Sequence, residues 1–211
     1  MKKKGLMIAF ALIMALGVGA GATLAYLFVK TDPVVNTFSY GDINIELKEH
    51  KYENGELNLD AEVNANTTYK VIPGVTEKKD PFVRVKAESE KCYIYVTVQN
   101  SVKLNDGTVV ATVNIADTDW VEVATSGDIK LYRYMGDKAV DGVVDAATEE
   151  KTLQVFTEVT YDADKILKSN IAQVDKDTIT VVAYAYQATN VNIATADAAV
   201  KEMAGFTAST N

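Results

Sequence analysis

The chain has 211 residues, 48% of them apolar and 24% charged, which suits one folded domain and excludes a low-complexity tail. Twenty-one basic against 29 acidic residues give a net charge of −8, so a nucleic-acid backbone, which wants a basic face, is excluded as a partner. One His and one Cys leave no intrachain disulfide, no HExxH zinc site and no Cys/His cluster; His50, in KEHKYENG, reads as a solvated histidine beside a turn.

Met1 is followed by Lys2, Lys3 and Lys4 and then by an uncharged run from Gly5 to Val29, the basic-then-apolar order of an export signal. The run turns from bulky aliphatics to Gly and Ala and ends in Ala22-Thr23-Leu24-Ala25. Thr23 and Ala25 place small side chains at −3 and −1, so residues 1–25 are expected to be a signal peptide and Tyr26 the first residue of the exported chain. Ala20-Gly21-Ala22 offers an alternative frame, and an uncleaved membrane anchor is the competing reading of a run this long. Removing three lysines leaves 18 basic and 29 acidic residues, or −11. The glycines of GVGAGA lie inside the apolar signal and are not a phosphate loop.

Residues 26–40 form an apolar, Pro-interrupted stretch that is too short for a helix and becomes a free end after cleavage. Such an end folds back as an edge strand or adds to the sheet of a neighbouring copy, with Tyr26, Phe28, Val34, Val35 and Phe38 as its apolar residues. Head-to-tail addition does not close, so it makes a filament of one repeating chain.

From residue 41 to 211 apolar residues alternate with period two. DINIELK puts Ile43, Ile45 and Leu47 on one face. ELNLDAEV does the same for Leu57, Leu59, Ala61 and Val63, and Asn54-Gly55 between them is a hairpin turn. PFVRVKAES turns Val83, Val85 and Ala87 inward, with Pro81 marking its start. CYIYVTVQN sets Cys92, Ile94, Val96 and Val98 against Tyr93, Tyr95 and Thr97, a strand covered on both faces. Asp106-Gly107 is a second turn of the Asn54-Gly55 type, and further strands are expected at WVEV, IKLYRYM, TLQVFTEVTY and DTITVVAYAYQ. Helices are expected at YDADKILKSN and at NIATADAAVKEMAGF, the latter capped by Thr195. The fold class is therefore all-β: an antiparallel β-sandwich or jelly roll with one or two short helices.

Acidic residues cluster as Asp117/Asp119, Asp137/Asp141/Asp145, Asp162/Asp164 and Asp175/Asp177. They read as solvated turns at which a weak Ca²⁺ could sit, and no resident cofactor is expected. Carboxylate pairs alone do not specify a glycosidase, because the sequence does not set their separation. Cys92 falls on an apolar strand face, a small core residue rather than a nucleophile. Trp120 with Tyr93, Tyr95, Tyr132, Tyr134, Tyr184 and Tyr186 reads as core and cross-strand packing rather than a carbohydrate platform.

The chain from ATLAYLFVKTDPVVNTFSYGDINIEL through VIPGVTEKKDPFVRVKAESEKCYIYVTVQN to ITVVAYAYQATNVNIATADAAVKEM resembles the TasA/camelysin family of Gram-positive secreted proteins. The resemblance rests on the small-residue cleavage site, Asn36 to Ile45, Pro73-Gly74 with Asp80-Pro81, and Ala183 to Ala188. It implies a jelly-roll domain, cleavage by a signal peptidase of the SipW type, export to the matrix or cell surface, and biofilm matrix fibres built by N-terminal strand donation. Camelysin-like members have also been classed as metallopeptidases, a role for which this sequence has one His and no zinc-ligand spacing. A surface-anchored binding module is the third reading.

Overall fold

The computed structural model describes residues 28–30, 43–66, 69–174 and 178–206. It is an antiparallel all-β sandwich of three sheets with one α-helix among the described residues. The chain opens with β1 (Phe28–Lys30), then a hairpin of β2 (Ile45–Glu53) and β3 (Glu56–Val63). The short β4 (Thr76–Lys78) and β5 (Phe82–Val85) lead into the long β6 (Ser89–Asn100). There follow β7 (Ala111–Ile115), β8 (Trp120–Ser126), β9 (Ile129–Tyr134), β10 (Ala139–Val140), β11 (Val143–Ala146), β12 (Lys151–Gln154), β13 (Phe156–Tyr161) and β14 (Ile179–Gln187), before helix α1 (Ile193–Met203).

The largest sheet runs β1-β14-β6-β11-β10, with β9 also on β6 and β8 on β9. A four-stranded sheet runs β12-β5-β2-β3, and a three-stranded one β4-β13-β7. Alternation along β6 and β14 explains the layers. Cys92, Ile94, Val96, Ala183 and Ala185 face a core shared with Ile43, Ile45, Val83, Val85 and Leu153. Tyr93, Tyr95, Tyr184 and Tyr186 face the other way, onto Ala196 and Val200 of α1. Both faces of these central strands are thus out of water, and each fully buried Val, Ile or Leu side chain contributes about 1.5–3 kcal/mol.

The helix is pinned to this second face by polar contacts. Tyr95 Oη donates to Asp197 Oδ1 at 2.8 Å, Arg133 pairs with Asp197 Oδ2, and Tyr93 Oη donates to the Val191 carbonyl at 3.0 Å. Trp120 is buried edge-on to Tyr134, and its Nε1 donates to the Gln154 carbonyl at 2.7 Å, joining the large sheet to the four-stranded one.

Several expectations are corrected. Thr195 is not the cap: Asn192 is, its side chain accepting from the Thr195 N–H, which satisfies one of the orphan donors of the first turn. YDADKILKSN forms turns held by Asp162 and Asn170 side chains, with a 3-10 turn only at Ile171–Gln173. Asx turns of this kind compete with helix for the same backbone groups.

Leu59 was expected inward but is 70% exposed. Lys51 pairs with Asn58 while His50 pairs with Glu62, so residues 59–61 bulge from the ladder and lose the alternation. Ala87 lies in the turn after β5, exposed, and TLQVFTEVTY divides at Val155 into β12 and β13, which belong to different sheets. Asn54 and Gly55 both take positive φ, as a two-residue hairpin requires, whereas at Asp106-Gly107 only Gly107 does.

Candidate assembly edge and adjoining cavity

β1 lies antiparallel on the outer edge of β14, with Phe28 opposite Tyr186, Val29 opposite Ala185 and Lys30 opposite Tyr184. The ladder is made of main-chain groups, so it is indifferent to which copy of the chain supplies it. On its other side β14 pairs with β6 along its whole length, from Ile179 opposite Asn100 to Gln187 opposite Cys92. The edge is therefore presented by a strand that belongs to the rigid centre of the sandwich. Of the residues expected to form the cleavage site and donor segment, Phe28 is placed here; Thr23, Ala25, Tyr26, Val34, Val35 and Phe38 lie outside the described residues.

Near the start of β14 a cavity of about 660 Å³ opens. Its apolar wall is Val102, Val159, Ile171, Val174 and Ile179, and its polar wall holds Tyr69, Glu77 and Lys79. The rings of Tyr52 and Tyr69 stand 4.8 Å apart, and the Lys79 ammonium lies 5.1 Å from the Tyr69 ring centroid while pairing with the buried Glu49 at 2.6 Å. Tyr52 Oη bonds to Glu77, which together with burial and the nearby Glu77 charge pushes the Tyr52 phenol up to about 12. Burial above all, with the charges of Glu49 and Asp80, raises Tyr69 as well. Both phenols therefore stay neutral, and the Tyr52 hydroxyl donates to Glu77.

His50 is not a solvated turn residue. It sits inside β2, with Nδ1 2.6 Å from Asp80 Oδ2 and its backbone N–H donating to Asp80 Oδ1 at 3.1 Å. Asn66 closes the same bulge, its Nδ2 donating to the His50 carbonyl and its Oδ1 accepting from the Tyr52 N–H. The partners lie 16 and 30 residues away from His50, beyond the reach of any local sequence pattern.

Three residues of the acidic clusters are held in ion pairs. Asp137 pairs with Lys138, Asp145 with Lys91, and Asp162 with Lys165, each at 2.6–3.0 Å; Asp175 and Asp177 lie outside the described residues. Among the described residues no group of three or more His, Cys, Asp or Glu is arranged to hold a metal ion. Cys92 is wholly buried, and desolvation with the Asp145 charge pushes its thiol up to about 12. Trp120 and the buried tyrosines are core residues, not a surface platform.

One protrusion escaped the sequence reading. β10 and β11 form a hairpin whose tip, Asp141-Gly142, has positive φ at both residues, and Val140 beside it is 77% exposed. The signal was present in AVDGVV, where Asp-Gly separates two apolar pairs.

No protein-family model matches the chain, and no curated protein does. Among solved structures the chain is similar to the pilus backbone RrgB from Streptococcus pneumoniae, with 18% identity and a TM-score of 0.33. The match covers 58% of this chain and 48% of that one, so the chain spans about half the length of the pilus protein.

Proposed function

We infer that this protein is an exported, non-catalytic structural subunit that polymerises head to tail into extracellular fibres of a biofilm matrix or cell surface. Each exported chain, beginning at Tyr26 after cleavage by a peptidase of the SipW type, donates its N-terminal strand to the sheet of the next copy. The observation that carries this reading is the placement of Phe28–Lys30 on the edge of β14. A strand three residues long, next to a free end, leaves one edge and joins an identical edge without unfolding anything else.

The test is electron microscopy with size-exclusion chromatography on the chain starting at Tyr26 and on the same chain lacking residues 26–35. Filaments from the longer form alone are the expected result. Filaments from the truncated form would remove strand donation, and monomers from both would remove the fibre reading.

A further inference from the structure

We propose a second contact between copies, in which the β10–β11 hairpin of one copy inserts Val140 into the cavity beside β14 of the next. The contact rests on the assembly reading above but not on strand donation.

Val140 is the most exposed large hydrophobic residue among those described, at 77%. The base of its hairpin is paired to the large sheet, β11 lying on β6. Gly142 takes φ +79° and is packed so closely that a Cβ there would stand 2.8 Å from Met135 Sδ and 3.0 Å from Ile193 Cδ1. A preorganised apolar knob loses little entropy on docking.

The cavity is the matching hole. It is open, about 660 Å³, and its wall of Val102, Ile171, Val174 and Ile179 offers an apolar lining of the size that takes the tip of a hairpin. The charges agree as well. Asp141 is exposed next to Val140, and Lys70 is exposed at the cavity rim; neither has an ion-pair partner among the described residues.

Geometry prevents a copy from filling its own cavity. Val143 of the hairpin pairs with Tyr93, whereas Ile179 at the cavity pairs with Asn100, on the opposite edge of β6. Those positions are separated by roughly 23 Å along the strand at ~3.3 Å per residue. An apolar knob at one place and an apolar hole at another form a heterologous contact, which continues from copy to copy instead of closing. Such a contact would fix the axial repeat from copy to copy.

The test mixes two single variants of the exported chain, Val140→Cys and Ala172→Cys, the latter at an exposed cavity-lining position, under mild oxidation. Val140→Cys mixed with Leu59→Cys is the control for random surface collision. Burial of the native Cys92 keeps it out of the reaction. The expected result is a disulfide yield several-fold above the control. In parallel, Lys70→Glu and Asp141→Lys are each expected to weaken self-association about tenfold by sedimentation velocity, with the double variant recovering most of the loss.

Equal yields in mixture and control, or no recovery in the double variant, would overturn the contact. Filaments without the preferential disulfide would leave the fibre reading standing and remove this contact alone. The disulfide without filaments would keep the contact and remove the fibre. In sedimentation velocity of the unlinked wild-type chain, an assembly that stops at a dimer would also overturn the proposal, because it would mean a reciprocal, closed pairing.

Discussion

The imidazole Nδ1 of His50 lies 2.6 Å from Oδ2 of Asp80, a carboxylate only 6% exposed that also accepts from the His50 backbone N–H at 3.1 Å. One side chain thus satisfies two donors at the point where β2 and β3 slip register. Asp80→Ala takes away the acceptor of both donors on the half-buried His50, and the penalty for an unmade bond at a buried group is about 1–3 kcal/mol. Urea unfolding followed by circular dichroism should show a clear loss in midpoint. His50→Gln keeps the backbone bond to Asp80 and should cost less. A catalytic histidine would show the reverse emphasis, with unchanged stability and a lost activity.

Cys92 has its thiol raised by burial, so it is both inaccessible and protonated at neutral pH. The native protein at pH 8 should not react with a water-soluble thiol reagent over hours. One equivalent should be taken up once denaturant exceeds the unfolding midpoint. Rapid labelling of folded protein would mean that the β6–β14 centre opens far more readily than its packing implies.

Glu62 is held below the usual carboxylate range, chiefly by its hydrogen bond from Arg84, which also meets Glu46 and Glu150. A depressed carboxylate contributes stability that is present above its unfolded value of about 4.5 and is lost as pH falls through its folded value. Glu62→Gln should therefore lower stability at pH 7 and flatten the acid limb below about pH 4.5. Coincident curves for wild type and variant from pH 7 to pH 3 would show that the bridge contributes nothing.

Gly142→Ala places a Cβ in the left-handed region and against Met135 and Ile193, while Gly107→Ala meets only open space at a similar φ of +86°. The second change costs roughly 1 kcal/mol for the backbone alone, and the first should cost about 1–3 kcal/mol through the added clash. Differential scanning calorimetry of the two variants separates backbone strain from packing. Equal shifts would mean that the Met135 and Ile193 side chains make room for the added methyl.

The β-sandwich was legible because period-two alternation is local: Ile43 and Ile45, Val83 and Val85, and Ile94 and Val96 each declare one buried face. Asn54-Gly55 was equally plain, since only residues that accept positive φ suit a two-residue turn. Errors arose where one alternating run met a nonlocal constraint. Leu59 alternates correctly in sequence yet bulges from an edge strand, and Thr195 has capping chemistry but sits three residues inside the helix that Asn192 caps.

What the sequence determined by itself was the chemistry of the chain: alternating strands, an apolar N-terminal run, an acidic surface, and too few His and Cys for most catalytic arrangements. What only the tertiary structure decided was adjacency. That β1 takes the edge of β14, that Asp80 reaches His50 across 30 positions, and that a cavity opens beside Ile179 depend on long-range pairing. Antiparallel ladders leave such pairings undetermined by composition, because any exposed edge offers the same backbone donors and acceptors, and the choice among edges is made by how whole sheets close over a shared core.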